Sequence, residues 1–283
     1  IVPLIGENRY LVTKGLELIS AGKHYGISQL LASAGYKGQI TSEQIAFGIA
    51  PRINASGRLD TVDSALKVLI SDNKQEIQVA IQTLNEFNKI RQELCQNIFA
   101  EADEMVKKEG NRNSAIVLFN KDWHIGIIGI VASMLVEKYY KPTFLMTYST
   151  ETKQYRCSAR SVEGINLYDT ISMNSELFDG FGGHSMAAGL AFSEEKASFE
   201  QVKSALCKTV KEMSQGKDLK PFINIDLLLE PDDVTVDLVE QISQLEPFGQ
   251  SNPSPIFALK NLKIKEKRLM GDNKNHLRLK CIG

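Results

Sequence analysis

One stretch of the chain, from Asn73 to Lys108, contains neither glycine nor proline and constrains the fold more than any other. Its apolar residues recur every three or four positions, the spacing that places side chains on one face of a helix. At 1.5 Å per residue, such a helix spans roughly 50 Å, which suits a connector between two lobes. We therefore expect a connecting helix over 73–110, either continuous or broken in two. Its expected buried face is Ile77, Ala80, Ile81, Leu84, Phe87, Ile90, Leu94, Ile98, Ala102 and Met105.

The composition is that of a globular protein with more than one domain. Of 283 residues, 43% are hydrophobic and 24% charged, and domains of roughly 100–200 residues are typical. No apolar run approaches the roughly 20 residues of a membrane span. The four cysteines are too widely spaced for a zinc or redox motif. They indicate a reducing compartment, so we expect a cytoplasmic protein without a membrane contact. The start at Ile1, without a methionine, indicates a piece of a longer protein.

Strands and helices alternate in the middle of the chain. Apolar runs predict strands and periodic runs predict helices, and this alternation is typical of an α/β domain. We place that domain at 111–214, followed by a linker at 214–218. For the whole chain we expect an α/β fold in a multi-domain α+β arrangement. The predicted strands are 114–119, 143–148, 154–160 and 189–192, and the predicted helices are 130–140, 166–173 and 198–213.

The net charge of −1 hides a basic C-terminal segment. Residues 257–283 carry eight lysines and arginines but only two acidic residues. Such an excess attracts a polyanion, although lysines that protect a solvated edge strand give the same pattern. Residues Leu277-Arg278-Leu279-Lys280 alternate as a strand does. Together with short strands before them, they predict a small, incomplete β-barrel over 220–283.

Two arginines flank a glycine in the segment 51–60, between hydrophobic elements. With Pro51 and Gly57, this segment is expected to be a loop, and loops on a rigid scaffold often carry binding residues. Arg58 is a candidate for a phosphate contact through its planar guanidinium group, with Arg52 as a second candidate. The alternative is that these arginines pair with nearby carboxylates such as that of Asp60.

The segment 182–189 reads Gly-Gly-His-Ser-Met-Ala-Ala-Gly. Glycines let a backbone turn tightly and approach a ligand closely. If a helix begins here, its N–H groups and the imidazole of His184 could bind an anion. A glycine turn that merely caps an alanine-rich helix is an equal alternative, since glycine motifs have many false positives.

Three polar clusters stand where an α/β sheet places ligands, at strand ends and helix starts. Trp123 and His124 follow a strand, Ser158 and Arg160 end one, and residues 182–184 are expected at a helix start. Arginine, serine, histidine and backbone N–H groups are the groups that bind phosphates. No paired carboxylates stand beside them. The clusters therefore predict an anion site and no metal site.

Taken in order, five stretches resemble the RecJ family of single-stranded-DNA-specific exonucleases, within the DHH phosphoesterase superfamily. The glycine-histidine motif alone is shared with other families, but the set in this order is specific. The resemblance covers essentially the whole chain. The matching stretches are 2–9, 50–59, 123–133, 158–161 and 182–189.

The resemblance implies a domain order. Residues 1–72 would be the end of the DHH catalytic domain, 73–110 the connecting helix, 111–214 the DHH-associated domain and 220–283 an incomplete OB-fold. The family's ligands for Mn²⁺ or Mg²⁺ are expected upstream of Ile1. On this expectation the chain itself binds no metal and is inactive without those ligands.

The resemblance also implies roles for residues. The full enzyme would remove nucleotides from the 5′ end of single-stranded DNA. Ser158 and Arg160 would hold the terminal phosphate, and Arg58 would contact the DNA backbone. His184, with Gly182 and Gly183, would touch the scissile phosphate and is the catalytic candidate. The remaining candidates for DNA contact are Arg52, Trp123 and His124.

Single-stranded DNA with a 5′ end is the partner that the resemblance implies, together with single-strand-binding protein and repair proteins. Two other functions stay open. One is a phosphodiesterase of the DHH type that cleaves nanoRNA or cyclic dinucleotides, although these small substrates need neither a long helix nor an OB-fold. The other is a module that only binds nucleic acid.

Overall fold

A computed structural model describes residues 2–110, 113–215, 219–271 and 274–282. They form two compact units, one made of Ile1–Ala50 with Phe222–Gly283 and the other of Pro51–Pro221. Both units mix helices with sheets, in agreement with the predicted fold class. Among the described residues, no helix is long and apolar enough to cross a membrane.

Short helices fill the first fifty residues: α1 at Gly6–Ser20, α2 at Tyr25–Ser33 and α3 at Ser42–Gln44. Helix α3 begins at a capping box, in which Thr41 and Gln44 each accept a hydrogen bond from the other's backbone N–H. A π-helical segment, Ile45–Ile49, follows directly.

The expected loop at 51–60 is wrong, because helix α4 spans Ala50–Leu59. Pro51 directly follows the π-helical segment Ile45–Ile49, and such an irregular stretch of helix is a place where the missing N–H group of a proline is accommodated. Gly57 faces Val62, whose Cγ1 would be 3.2 Å from a Cβ at that position. Both residues therefore fit a helix, and both were misread as signs of a loop.

Helix α5 (Asp63–Ile70) precedes the long helix α6 (Lys74–Lys108), which is continuous over 35 residues. The prediction of a long helix is confirmed. Asn73 caps it by accepting hydrogen bonds from the N–H groups of Gln75 and Glu76. Its buried face differs in the middle from the expected one, since Asn88 is buried whereas Ile90 is 44% exposed.

A five-stranded sheet organises the domain that follows, in the order β1-β2-β3-β5-β4. Strands β1 and β2 are parallel and the other neighbours are antiparallel. The predicted strands and the helices at 166–173 and 198–213 are confirmed to within a few residues. The elements are β1 (Ile116–Phe119), α7 (Ile125–Tyr139), β2 (Thr143–Ser149), β3 (Gln154–Arg160), α8 (Leu167–Ser172), β4 (Gly180–Gly183), β5 (Ala187–Ser193) and α9 (Phe199–Ser214).

Each face of the sheet covers its own core, because successive strand residues point to opposite faces. Phe144, Met146 and Ala159 belong to a core that includes residues of α8 and α9. Leu145 belongs to a second core, which includes residues of α6 and α7. Since Ser158 pairs with Leu145 in the register of β2 and β3, its side chain lies on the α7 side of the sheet.

The Gly-Gly-His segment does not begin a helix, so that expectation is wrong. Gly182 and Gly183 end β4, and Ala187 begins β5, so 182–189 is a β-hairpin. Ala188 and Leu190 alternate into the core in the manner of a strand. Alanine is common in helices, but here burial on one face of a sheet decides the structure.

Helix α7 also differs from expectation, because it begins at Ile125 and not at 130. Gly126 and Gly129 lower helix propensity and so obscured its first turn. Their positions are explained by close contacts, described below.

The described C-terminal residues form short strands, one α-helix and a single 3-10 turn at Pro231–Asp233. The parallel pair β6–β7 and the antiparallel pair β8–β9 make two separate two-stranded sheets. No closed barrel is found among the described residues, in line with the incomplete barrel that was predicted. Residues 216–218 of the expected linker, like residues 111–112, lie outside the described residues. The elements are β6 (Leu227–Leu229), α10 (Val236–Ser243), β7 (Phe257–Leu259), β8 (Lys263–Met270) and β9 (His276–Ile282).

Candidate functional site

Arg58 reaches the start of α7 from the last turn of α4. Its Nη1 atom donates a hydrogen bond of 2.9 Å to the carbonyl oxygen of Gly126, and the side chain is exposed. Arg52 lies about two turns earlier, where its Nε atom donates to Asn85 Oδ1 of α6 at 2.8 Å. The two arginines of the segment are therefore directed to different elements, and only Arg58 is directed to α7.

His124 shapes the first turn of α7. As the N-cap residue, it accepts a hydrogen bond of 3.1 Å from the Gly126 N–H group through Nδ1. Because Nδ1 accepts, the ring proton of the neutral imidazole must lie on Nε2, which can donate to a ligand.

Trp123 has a different environment from that of His124. Its indole is buried in the core shared with α6, and Nε1 donates to Glu101 Oε2 at 2.9 Å. The structure thus gives Trp123 a packing contact that anchors the segment before α7.

Ser158 and Arg160 point to the same side of β3, since they are two residues apart. Nη1 of Arg160 donates to Ser158 Oγ at 3.3 Å and to the Ala159 carbonyl oxygen at 2.8 Å. Both side chains face α7 at Gly129, where a Cβ atom would lie 2.7 Å from Ser158 Oγ and 3.1 Å from Arg160 Nη2. The strand and the helix thus hold the guanidinium and the hydroxyl next to each other.

The electrostatics of this group are unusual, because two positive charges lie close together. Burial lowers the pKa of Arg160, and the positive charge of Arg58 lowers it further. Arginine nevertheless stays protonated in proteins. Among the described residues, neither arginine forms an ion pair with a carboxylate. Two neighbouring guanidinium groups that have no carboxylate partner among the described residues, one half-buried and one exposed, favour an anionic ligand.

The glycine-histidine turn lies further along the same sheet. Gly182 pairs with Gly189, which pairs with Ser158, so Gly182 is two strands, or roughly 10 Å, from Ser158. Gly183 has φ +143°, and a Cβ atom there would lie 2.5 Å from the Ala187 carbonyl oxygen. His184 is exposed, and its N–H group donates to that same oxygen at 2.8 Å.

The structure thus brings Arg58, His124, Ser158 and Arg160 to the first turns of α7. We call these four residues the α7 cluster. The sequence did not identify Gly126 and Gly129, which let α4 and β3 approach this helix. The available signal was a pair of glycines three residues apart, directly after His124.

A divalent cation does not fit the α7 cluster, because its two guanidinium groups would repel one. Within the described part of the chain, no three histidine, cysteine, aspartate or glutamate side chains converge as metal ligands would. Hard cations such as Mg²⁺ take oxygen ligands, mainly carboxylates. The cluster is therefore suited to an anion.

Comparison with known proteins connects this geometry to a family. The family model of the DHHA1 domain matches residues 112–213, which include the five-stranded sheet. The family model of the RecJ OB domain matches residues 225–283. The single-stranded-DNA-specific exonuclease RecJ of Bacillus subtilis is 33% identical over 99% of this chain. The same enzyme of Thermus thermophilus is 32% identical over the whole chain. This chain therefore contains a DHHA1 domain and a RecJ OB domain, and it is similar to RecJ exonucleases over its whole length.

Solved RecJ structures show the same fold. RecJ of Thermus thermophilus in complex with Mn²⁺ has a TM-score of 0.84 and 30% identity over 99% of this chain. A second structure, exonuclease RecJ bound to manganese, has a TM-score of 0.62 and 31% identity over 76% of it. The chain spans only 35% of the Bacillus subtilis relative, 40% of the Thermus thermophilus one and 50% of the Escherichia coli one.

Proposed function

We propose that this chain is the part of a single-stranded-DNA exonuclease that binds the 5′ end of its substrate. The observation that carries the proposal is the pair of arginines at α7. Arg58 donates a hydrogen bond to the Gly126 carbonyl oxygen, Arg160 lies beside Gly129, and neither has a carboxylate partner among the described residues. The relatives named as exonucleases specific for single-stranded DNA support it.

The α7 cluster suits a terminal phosphate better than an internal one. A terminal phosphate monoester carries a charge of about −1.5 to −2 near pH 7, whereas an internal diester carries one negative charge. Both hydrogen bonds found for Arg160 within the described residues come from Nη1. Nη2 and Nε are thus donors for a phosphate, and the Ser158 hydroxyl is a third.

Arg58 is assigned a different role, contact with the DNA backbone. It is exposed and held by one hydrogen bond to a carbonyl oxygen, so it can exchange that oxygen for a phosphate at little cost. Arg52, bonded to Asn85 of α6, is proposed to contact the strand further from its end. Of the two residues before α7, His124 is proposed to donate from Nε2, and Trp123 to hold it in place from the core.

Gly182, Gly183 and His184 are proposed to contact the scissile phosphate. Their strand is exposed throughout, and the His184 side chain is open to solvent. The Mn²⁺ or Mg²⁺ of the whole enzyme would supply activated water when bound, and residues other than the α7 cluster would hold it. Single-strand-binding protein and repair proteins are proposed as partners of the whole enzyme in the cytoplasm.

The basic hairpin β8–β9 is proposed to guide the rest of the strand. Its side chains are exposed along both strands. Exposed lysines and arginines attract a phosphate backbone without reading its sequence. The hairpin would therefore add affinity for DNA but no preference for its end.

The proposal is tested by following degradation of labelled single strands in Mn²⁺. The comparison is between this chain and a version extended upstream by the remaining length of a RecJ relative. We expect the extended version to shorten single strands from their 5′ end and to leave duplex DNA intact. If the extended version degrades neither single strands nor duplex DNA, or shortens single strands from the 3′ end, the proposal is wrong.

A further inference from the structure

We propose that Gly126 and Gly129 are the positioning residues of the phosphate site. They keep Ser158 and Arg160 at the spacing that the terminal phosphate requires, and they keep Arg58 where it can contact the DNA backbone. This inference rests on the proposed function, because it concerns how the same cluster discriminates between DNA ends. It assigns a role to two residues that do not themselves touch DNA.

The first step is geometric. Gly126 and Gly129 are three residues apart in α7, so they lie on the same side of the helix. A Cβ atom at Gly126 would lie 2.5 Å from the Arg58 carbonyl oxygen, and one at Gly129 would lie 2.7 Å from Ser158 Oγ. Helix α4 and strand β3 therefore reach one face of α7 at two adjacent points.

The second step is that these two glycines are explained by the close contacts and not by the backbone conformation of the helix. Neither residue has a positive φ, so an alanine would be compatible with the backbone and would even favour a helix. By contrast, Gly15 in α1 has no atom within 4 Å of a Cβ built on it. Glycine at 126 and 129 therefore allows α4 and β3 to approach α7 closely.

The third step is that the two glycines act on different groups. Gly129 faces the tips of two side chains, Ser158 Oγ and Arg160 Nη2. Atoms in contact prefer a separation of about 3.5 Å, so the Ser158 hydroxyl would move by roughly 0.8 Å to accommodate a methyl group. A serine hydroxyl and an arginine tip can make such a movement, so the fold tolerates it, but their relative positions change.

Gly126 is coupled to Arg58 twice. Its carbonyl oxygen accepts a hydrogen bond from the Arg58 guanidinium, and a Cβ atom added to it would lie 2.5 Å from the Arg58 carbonyl oxygen. A methyl group at Gly126 would push on backbone and displace the end of α4 together with Arg58. The two positions therefore control the two roles separately: Gly129 controls the end phosphate and Gly126 controls the backbone contact.

The experiment measures the affinity of this chain for two matched single-stranded oligonucleotides, one with a 5′-phosphate and one with a 5′-hydroxyl. The variants are Gly129→Ala and Gly126→Ala, with Gly15→Ala as the matched control. Circular dichroism and Trp123 fluorescence check that each variant is folded.

For Gly129→Ala we expect the preference for the 5′-phosphate to fall by about tenfold, the order of one charge-assisted hydrogen bond. Its affinity for the 5′-hydroxyl strand should stay close to that of the unaltered chain. For Gly126→Ala we expect both affinities to fall together, with the preference retained. Gly15→Ala should change neither.

A Gly129→Ala variant that folds and keeps the full preference overturns the inference. If that variant does not fold, Gly126→Ala decides, and unchanged affinities in it overturn the inference. The proposed function fails separately, if the unaltered chain shows no preference for the 5′-phosphate at all.

Discussion

Replacing Asp103 of α6 by asparagine tests how the long helix is fixed to α7. The carboxylate is buried, and it accepts hydrogen bonds from Lys138 Nζ at 2.5 Å and from the Tyr139 hydroxyl at 2.7 Å. It also pairs with Lys107 one turn further along α6, at 2.6 Å. The hydrogen bonds from Lys107, Lys138 and Tyr139, in that order, hold the pKa of Asp103 well below its usual range.

The expected cost follows from these contacts. A hydrogen bond to a charged group contributes about 1.5–3 kcal/mol. The Lys107 and Lys138 side chains are 63% and 42% exposed, so solvent screens their attraction to the carboxylate. Asparagine also keeps an oxygen for the Tyr139 hydroxyl. We therefore expect Asp103→Asn to lower the free energy of unfolding by about 1–2 kcal/mol at pH 7.

The effect should depend on pH with a definite sign. Since the pKa of Asp103 is lowered by folding, its charge stabilises the folded chain fully above about pH 4, the pKa of an unfolded aspartate. That contribution is lost as the pH falls below this value toward the folded-state pKa. The difference between the unaltered chain and Asp103→Asn should therefore shrink below pH 4.

The assay is urea unfolding followed by the fluorescence of Trp123, the single tryptophan, which is buried in the core that α6 and α7 share. The matched control is Glu93→Gln, which removes the exposed pair of Lys89 and Glu93 at 4.0 Å and should cost less than about 0.5 kcal/mol. An Asp103→Asn effect no larger than that of the control, or one unchanged at low pH, would refute the reasoning.

Three further expectations concern the elements around the site. His124→Ala removes the N-cap of α7 and should destabilise the chain by about 1 kcal/mol in urea; an unchanged midpoint contradicts this. Gly183→Ala strains a residue with φ +143° and should lower the melting temperature, whereas Gly180→Ala, with open space around its Cβ, should not. Arg58→Ala should reduce the slope of log affinity against log salt by roughly 0.7; an unchanged slope excludes a phosphate contact.

Local patterns in the sequence predicted most of the elements. The α6 helix follows from a periodic run without glycine or proline, and β1 follows from a short apolar run. In both cases the residues that decide the structure are neighbours in the chain. Four of the five strands of the central sheet were therefore predictable, but β4 and the order of the strands were not.

Glycine and proline caused the errors, because their usual meaning depends on tertiary contacts. Pro51 suggested a loop but occupies the first turn of α4. Gly126 hid the start of α7, where its missing side chain admits the Arg58 backbone. The 182–189 segment became a hairpin because alternate residues are buried against a sheet. None of these contacts can be read from neighbouring residues.

The candidate site was predictable as a set of residue types but not as an arrangement. Arginine and serine near a strand end indicated an anion site on chemical grounds. That Arg58 lies beside Arg160 depends on the packing of α4 and β3 against α7, which join distant parts of the chain. The roles of these residues stay predictions until binding is measured.

The most direct test of the central proposal is the affinity of this chain for a 5′-phosphorylated single strand, divided by that for its 5′-hydroxyl counterpart. Arg160→Ala is compared with Arg156→Ala, an exposed arginine on the same strand. We expect Arg160→Ala to reduce the ratio by about tenfold or more and Arg156→Ala to leave it unchanged. Equal losses of affinity for both strands in Arg160→Ala would contradict the assignment of the 5′-phosphate to the α7 cluster.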